Sequence, residues 1–313
     1  MSLYLVTGGA GFIGSNIALH ILQAGGKVRV LDDLSTGRRE NLRGIIGDIE
    51  FHEATVCDPA ACAKACAGAD FVLHQAALGS VPRSIEDPQA SNEANVTGTV
   101  NMLAAARDAG VQRFVCAGSS SVYGDAPGMP RVETIPPRPL SPYAVTKLAQ
   151  ELYSIVFHRV YGLPTVVLRY FNVYGPRQDP HSAYAAVIPR FASALLTGGK
   201  AVIYGDGMQT RDFTFIEDCV QANMLACSAP EEACGRAYNI ACGKQTSIIG
   251  VYETLKGLLG GTGEPSFEPP RVGDPRDSLA DITAAQEALG YSPRYDISAG
   301  LAKAAQWYRA KLG

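Results

Sequence analysis

Residues 3–14 read LYLVTGGAGFIG. A short apolar run ends in glycines spaced Gly-x-x-Gly-x-x-Gly at Gly8, Gly11 and Gly14, and a helical apolar pattern follows over 13–24. A buried strand, a glycine turn and a helix in that order let backbone approach a diphosphate. The turn needs residues without a Cβ, and the helix start offers unpaired N–H groups and a positive dipole end. These residues therefore predict a dinucleotide cradle. Working outward, apolar runs at 27–31, 70–74, 114–117 and 165–169 alternate with helical spacing at 92–109 and 141–161. Gly110 suits a helix C-terminus, and Ser141 followed by Pro142 suits a helix start. Strand and helix in alternation predict an α/β fold, a doubly wound and mostly parallel sheet with helices on both faces.

The alternation loosens after residue 171, where Pro176, Pro180, Pro189, Gly198 and Gly199 interrupt it. The reading is a cofactor domain over 1–172, to which a segment near 212–236 returns. A smaller, mostly C-terminal α/β substrate domain takes 173–313. With 47% hydrophobic and 18% charged residues, the 313-residue chain is globular rather than disordered. A net charge of -3 with no basic stripe argues against nucleic acid. No run of about 18 apolar residues predicts a membrane span. No basic leader with a cleavage site opens the chain, so a cytoplasmic location is expected. Eight cysteines lack any Cys-x-x-Cys pair or zinc spacing, which predicts reduced thiols and no metal site.

Asp32 ends the second strand, where a carboxylate can accept both ribose hydroxyls of an adenosine and repel a 2′-phosphate. With Asp33 beside it, NAD is favoured over NADP. Tyr143 and Lys147 are four apart and share a helix face. A phenol with a pKa of about 10 works as a base near neutrality only with a cation at hand, and Lys147 can supply one. Ser119, Ser120 and Ser121 follow a strand at the sheet edge where ligands bind, and a hydroxyl there can pass a proton to Tyr143. Spacing alone does not choose among the three.

Four stretches together carry a family resemblance: TGGAGFIG at 7–14, HQAA at 74–77, YAVTK at 143–147 and RYFNVYG at 169–175. Over essentially its whole length the chain resembles the extended short-chain dehydrogenase/reductase family, and its nucleotide-sugar 4-epimerases in particular. ALGSVPRS at 77–84, SSSVYG at 119–124 and RQDPHSAYAAVIP at 177–189 resemble the UDP-N-acetylglucosamine 4-epimerase group. The resemblance implies a Rossmann-type sheet, bound NAD, and reversible C4 epimerisation of UDP-GlcNAc and UDP-GalNAc, with UDP-glucose and UDP-galactose also accepted. Catalysis falls to Tyr143 as base, Lys147 on the nicotinamide ribose, Ser119 as proton relay and Ser120 as its assistant.

For the cofactor, the resemblance implies contacts from Gly8, Gly11, Phe12, Ile13 and Gly14 at the diphosphate and from Asp32 and Asp33 at the ribose. Thr55, Val56, Gln75, Ala76, Ala77 and Tyr170 complete the walls, and Asn95 stands behind the site. For the substrate it implies contacts from Ser80, Val81 and Val187, from Ser121 at the sugar and from Asn172 at the diphosphate or the sugar. Arg211 and Arg271 hold the diphosphate, Asp274 a ribose, and Ser278 is a small gate residue that leaves room for a 2-acetamido group. Two departures stand out. The family's aspartate after the third strand is replaced by Thr55-Val56. The Asp-Glu pair with which related dehydratases expel water is replaced by Ser120 and Ser121, which argues against dehydration. Competing readings are a UDP-glucose 4-epimerase restricted to plain sugars, a UDP-glucuronate epimerase or decarboxylase, and a non-catalytic NAD-sensing module, which would lack the Tyr/Lys/Ser set. The family also implies a homodimer packed through the helices near 97–109 and 141–161.

Overall fold

A computed structural model describes residues 1–180, 186–270 and 276–312. In chain order the elements are β1 (Leu3–Thr7), α1 (Phe12–Gln23), β2 (Lys27–Asp32), β3 (Ile49–Glu53), α2 (Pro59–Cys66) and β4 (Phe71–His74). Then come α3 (Val81–Glu86), α4 (Pro88–Asn92), α5 (Gly98–Asp108), β5 (Arg113–Ser119), α6 (Pro142–Tyr161) and β6 (Thr165–Tyr170). The second half holds β7 (Val173–Tyr174), α7 (Val187–Thr197), β8 (Val202–Tyr204), β9 (Thr210–Asp212), β10 (Thr214–Phe215) and α8 (Ile216–Ser228). It continues with β11 (Arg236–Ile240), β12 (Gln245–Ser247), α9 (Ile248–Leu259), β13 (Ser266–Glu268), α10 (Thr283–Leu289) and α11 (Ile297–Leu312).

Seven parallel strands form the main sheet in the order β11-β6-β5-β4-β1-β2-β3. Strands buried on both faces read as continuous apolar runs rather than alternations, and every residue of β6 is buried. Helices α1 and α8 pack together on one face, and α2 and α5 on the other with α6 beside them. The strand order reverses between β1 and β4, and an open crevice forms at the carboxyl ends of these two strands. Helix α8 and strand β11 lie with the first half of the chain, so the returning segment runs on to Ile240. The remaining second-half elements form short strand pairs, with α7, α9 and α11 packed on one another. Among the described residues no helix is long and apolar enough to cross a membrane. Six of the eight cysteines are buried and all are free thiols.

The helix expected over 92–109 is present, with one irregularity that spacing did not show. Here α4 passes through a π turn at Glu93–Thr97 before α5 begins. Hydrophobic spacing does not separate one π turn from an α turn, and such turns recur where a side chain has to be re-aimed. Asn95 sits in this turn, fully buried.

Helix α6 carries Tyr143 and Lys147, and a buried ion pair ties it to β6. Arg169 donates from Nε and Nη2 to the two oxygens of Glu151, at 2.8 and 2.6 Å. Its Nη1 donates to the Tyr123 hydroxyl at 2.7 Å, which in turn donates to Asn239 of β11 at 2.7 Å. Removing one partner of such a pair leaves a desolvated charge. Glu151→Ala is therefore expected to lower unfolding free energy by about 3–5 kcal/mol, read from denaturant melts. A loss below about 1 kcal/mol would show that the pair does not hold the helix.

Candidate active site

The cradle is built as its glycines require. Gly8 has φ 64°, and a Cβ there would lie 2.8 Å from Ala76 Cα. A Cβ on Gly14 would lie 2.2 Å from the Gly8 carbonyl oxygen. Gly11 stands extended just before α1, so the N–H groups of Phe12 and Ile13 in the first turn have no intrahelical acceptor. These residues line a cleft of ≈ 1070 Å³ whose walls include Asp32, Asp33, Thr55, Val56, Gln75, Ala76, Ala77 and Ser80. The donor set and open backbone fit a dinucleotide diphosphate. Asp32 is buried, and burial raises its pKa above the usual carboxylate value. Its oxygens accept the Ala10 and Leu34 N–H groups at 2.9 and 2.8 Å, which fixes the carboxylate at the end of β2. Asp33 is exposed and bonds to Ser35.

Ser119 is the last residue of β5. Its Oγ accepts the Ser121 N–H at 3.2 Å and the Ser121 hydroxyl at 2.9 Å, and it is bonded to the Tyr143 phenol. With both lone pairs engaged by Ser121, the Ser119 proton is free to point at the Tyr143 oxygen. Ser120, half-buried, opens the 3-10 turn at Ser120–Tyr123. Burial raises the Tyr143 pKa, and the Ser119 bond acts in the opposite direction. Lys147 is buried; its Nζ donates to the Ala117 carbonyl at 2.9 Å and lies 6.0 Å from the Tyr143 ring centroid. Burial pulls its pKa down to about 8. Both groups thus lose hydration that would favour charge, and the ionised phenol depends on nearby positive charge.

A buried hydrogen-bond series connects cradle and catalytic helix. The Ala76 N–H donates to Thr7 Oγ1 at 3.2 Å, and Thr7 Oγ1 meets His74 Nδ1 at 2.8 Å. His74 Nε2 meets Thr99 Oγ1 at 2.9 Å, and Thr99 Oγ1 donates to the Asn95 carbonyl at 2.6 Å. Asn95 Nδ2 donates to Thr146 Oγ1 at 2.9 Å, and Thr146 Oγ1 donates to the Tyr143 carbonyl at 2.8 Å. Thr99 uses its proton on Asn95, so His74 donates from Nε2 and accepts from Thr7 at Nδ1. Asn95 also accepts the Leu78 N–H at 2.7 Å. Ser84 Oγ accepts the N–H of Tyr143 itself at 3.0 Å.

The structure gathers most of the expected cofactor residues on the cleft and sets four apart from its lining: Asn95, Tyr143, Lys147 and Tyr170. Asn95 and Tyr170 are hydrogen-bonded to the lining residues Leu78 and Gln75. The Tyr170 hydroxyl bonds to Gln75 at 3.3 Å and to Asn223. Of the expected substrate residues, Ser80 caps α3 on the cleft, and Val81 is the exposed first residue of that helix. Asn172, at φ 36°, donates to the Asp212 carbonyl at 2.9 Å. Val187 starts α7 next to Ala186 on the cleft wall. Arg211 Nη1 donates to the Arg276 carbonyl at 3.0 Å, which brings β9 against the segment carrying the half-buried Ser278. Buried Asp212 braces the same region by accepting N–H groups from Cys242, Gly243 and Ala280, and burial raises its pKa to about 6. Arg271 and Asp274 lie outside the described residues.

Sequence reading passed over Thr7, His74, Thr99, Thr146 and Ser84 as working parts, and also Arg177, Trp307 and Lys311 on the cleft. Thr7, His74, Ser84, Thr146 and Arg177 fall inside the signature stretches without a role attached to them, and Thr99, Trp307 and Lys311 fall in none. Among the described residues no cluster of three or more His, Cys, Asp or Glu could hold a metal ion.

A glycine cradle and a Tyr-Lys-Ser set at one sheet edge define an enzyme that moves a hydride to and from a dinucleotide. Residues 4–241 match the NAD dependent epimerase/dehydratase family, and the chain belongs to that family. It is an NAD-dependent enzyme. It is 41% identical over 311 residues to the UDP-glucose 4-epimerase of Mycolicibacterium smegmatis, covering 98% of each chain. The solved UDP-N-acetylglucosamine 4-epimerase from Methanobrevibacter ruminantium M1, in complex with UDP-N-acetylmuramic acid, superposes with a TM-score of 0.94 at 37% identity over 99% of both chains. The UDP-glucuronic acid 4-epimerase from Bacillus cereus, in complex with UDP-glucuronic acid and NAD, gives 0.91 at 32% identity, again over 99% of both.

Burial pushes the His74 pKa down to about 3, whereas an unfolded histidine titrates near about 6.5. Protonation therefore favours the unfolded chain. The stability contributed by neutral His74 is present above about pH 6.5 and is lost as pH falls from there towards 3. One proton gives a slope of up to about 1.4 kcal/mol per pH unit. His74→Gln keeps a polar side chain without this titration, so its stability should fall less steeply than wild type between about pH 6 and 4.5 in matched melts. Parallel slopes would show that His74 is not held neutral.

Proposed function

We propose that this enzyme catalyses the reversible C4 epimerisation of a UDP-hexose, with UDP-GlcNAc and UDP-GalNAc as substrates and UDP-glucose and UDP-galactose also accepted. The observation that carries this reading is the bonded series Ser121–Ser119–Tyr143 beside Lys147, with serine at 120 and 121. Neither serine can serve as the carboxylic acid or carboxylate that water elimination requires. NAD, when bound, supplies reversible uptake of the C4 hydride. Tyr143 takes the C4 hydroxyl proton, and the Ser119 proton and the Lys147 cation stabilise the phenolate during that transfer. The 4-keto sugar turns about its diphosphate link and presents its other face, and Tyr143 returns the proton. Phe12 and Ile13 hold the cofactor diphosphate, Asp32 its ribose, and Arg211 with Arg271 the substrate diphosphate.

Ser278 supports the acetamido sugar, since a small side chain leaves space at C2. A pocket sized for the larger sugar discriminates weakly against the smaller, by a few kcal/mol at most. The name of the Mycolicibacterium relative favours a second reading, in which only UDP-glucose and UDP-galactose react. We also propose a homodimer. Val145, Leu152, Tyr153, Val156 and Val160 on α6 are 42–64% exposed at helical spacing, an apolar stripe on a helix whose other side is buried.

Incubation with UDP-GlcNAc, UDP-glucose, UDP-galactose and UDP-glucuronate, followed by chromatographic separation of C4 epimers, is expected to show interconversion of the first three. Tyr143→Phe should slow it by at least about 100-fold. Ser278→Tyr should lose UDP-GlcNAc turnover and keep that of UDP-glucose; undiminished UDP-GlcNAc turnover would remove Ser278 as the gate. No conversion of any sugar would sink the epimerase reading. Light scattering should give a dimeric mass for wild type and a monomeric one for Leu152→Glu/Val156→Glu; a monomeric wild type would discard the dimer.

A further inference from the structure

Arg177 lies on the cofactor cleft together with Gly11, Phe12, Ile13 and Gly14, although it belongs to the loop after β7. Its backbone is left-handed at φ 70°, a conformation that costs a non-glycine residue energy and persists only where surrounding contacts enforce it. Those contacts come from α1. Asn16 Nδ2 donates to the Phe12 carbonyl at 2.8 Å and to the Pro176 carbonyl at 3.0 Å. Asn16 Oδ1 accepts from Arg177 Nη1 at 3.1 Å. The guanidinium is thus suspended beside the first turns of α1. A few residues on, Asp179 forms an ion pair with Arg38, a second tie between this segment and the cofactor side of the cleft.

Among the described residues the charge balance at this point is incomplete. The guanidinium is half-buried, and burial lowers its pKa below the ordinary arginine value. Among the described residues no carboxylate forms an ion pair with Arg177, and only one of its five N–H donors has a protein acceptor. The nearest helix end is the positive one, so the protein places a partly desolvated cation beside a positive dipole. Such an arrangement is favourable once an anion with several acceptor oxygens lies between them.

We infer that Arg177 is a binding residue for the cofactor diphosphate, a side-chain clamp contributed by the second half of the chain opposite the backbone donors of Phe12 and Ile13. Planar guanidinium donors suit paired phosphate oxygens. The clamp closes the cleft from the far side, because residues 176–179 are tied to α1 at Asn16 and to Arg38. Cofactor release then requires this segment to leave α1. Slow release suits chemistry that restores NAD within each turnover, and the inference depends on NAD occupancy and not on which sugar reacts.

The test is exchange of bound NAD for isotopically labelled NAD in the purified holoenzyme, with bound NAD per chain measured after gel filtration. Arg177→Gln is expected to exchange at least about tenfold faster than wild type and to emerge with less NAD, and Arg177→Lys to fall between them. Asn16→Ala, which removes the group aiming the guanidinium and leaves the charge, should also accelerate exchange. Melting curves identify which variants fold. Wild-type exchange in whichever of Arg177→Gln and Asn16→Ala folds would overturn the assignment. Loss of epimerase activity with unchanged NAD exchange would overturn it as well.

Discussion

The hydrogen-bond series from the Ala76 N–H through Thr7, His74, Thr99, Asn95 and Thr146 to the Tyr143 carbonyl joins two elements that chemistry requires to be in register. Ala76 lies on the cofactor cleft, and Tyr143 is on the first turn of the catalytic helix. Every member from Thr7 to Thr146 is buried, where an unmatched polar group would cost free energy and a matched one fixes its neighbour's orientation. The order of donors is consistent from end to end because neutral His74 accepts on one side and donates on the other. The π turn at Glu93–Thr97 belongs to the same constraint, since it places Asn95 between Leu78 and Thr146.

The site itself sets burial against charge. Desolvation raises the Tyr143 pKa and lowers that of Lys147, so burial by itself favours two neutral groups. What opposes it is local: the Ser119 bond to the phenol, and the Ala117 carbonyl that accepts from Lys147. An oxidised nicotinamide held in this cleft would add positive charge in the same sense and favour the Tyr143 phenolate. The Arg169–Glu151 pair and its link to Tyr123 hold α6 and the turn after the serines in one frame, which keeps these short contacts aligned.

Much of this was legible in the chain wherever the signal was local. Gly8, Gly11 and Gly14 announce the cradle by their spacing, with a Cβ sterically excluded at Gly8 and Gly14, and Asp32 follows from its place after the second strand. Tyr143 and Lys147 share a helix face by spacing alone. The parts that were not legible depend on partners far apart in sequence. Thr7 and His74 are 67 residues apart, Thr146 and Asn95 are 51 apart, and Ser84 and Tyr143 are 59 apart. A threonine or serine in such a pair looks like any other polar residue until folding supplies its neighbour. Arg177 was visible as part of a signature, but its relation to α1 exists only across 161 residues of intervening chain.

The sequence by itself therefore determined the alternating α/β order, the cradle, the preference for NAD and the shared helix of Tyr143 and Lys147, because each is encoded within a few residues by sterics, periodicity or charge. Only the tertiary structure decided how these parts are held. It placed a π turn at Glu93–Thr97 in the expected helix, made His74 a neutral link rather than a ligand or base, and carried Arg177 from the second half of the chain to the cofactor cleft. The physical reason is that burial and hydrogen-bond matching are properties of neighbours in space, and spacing along the chain does not carry them.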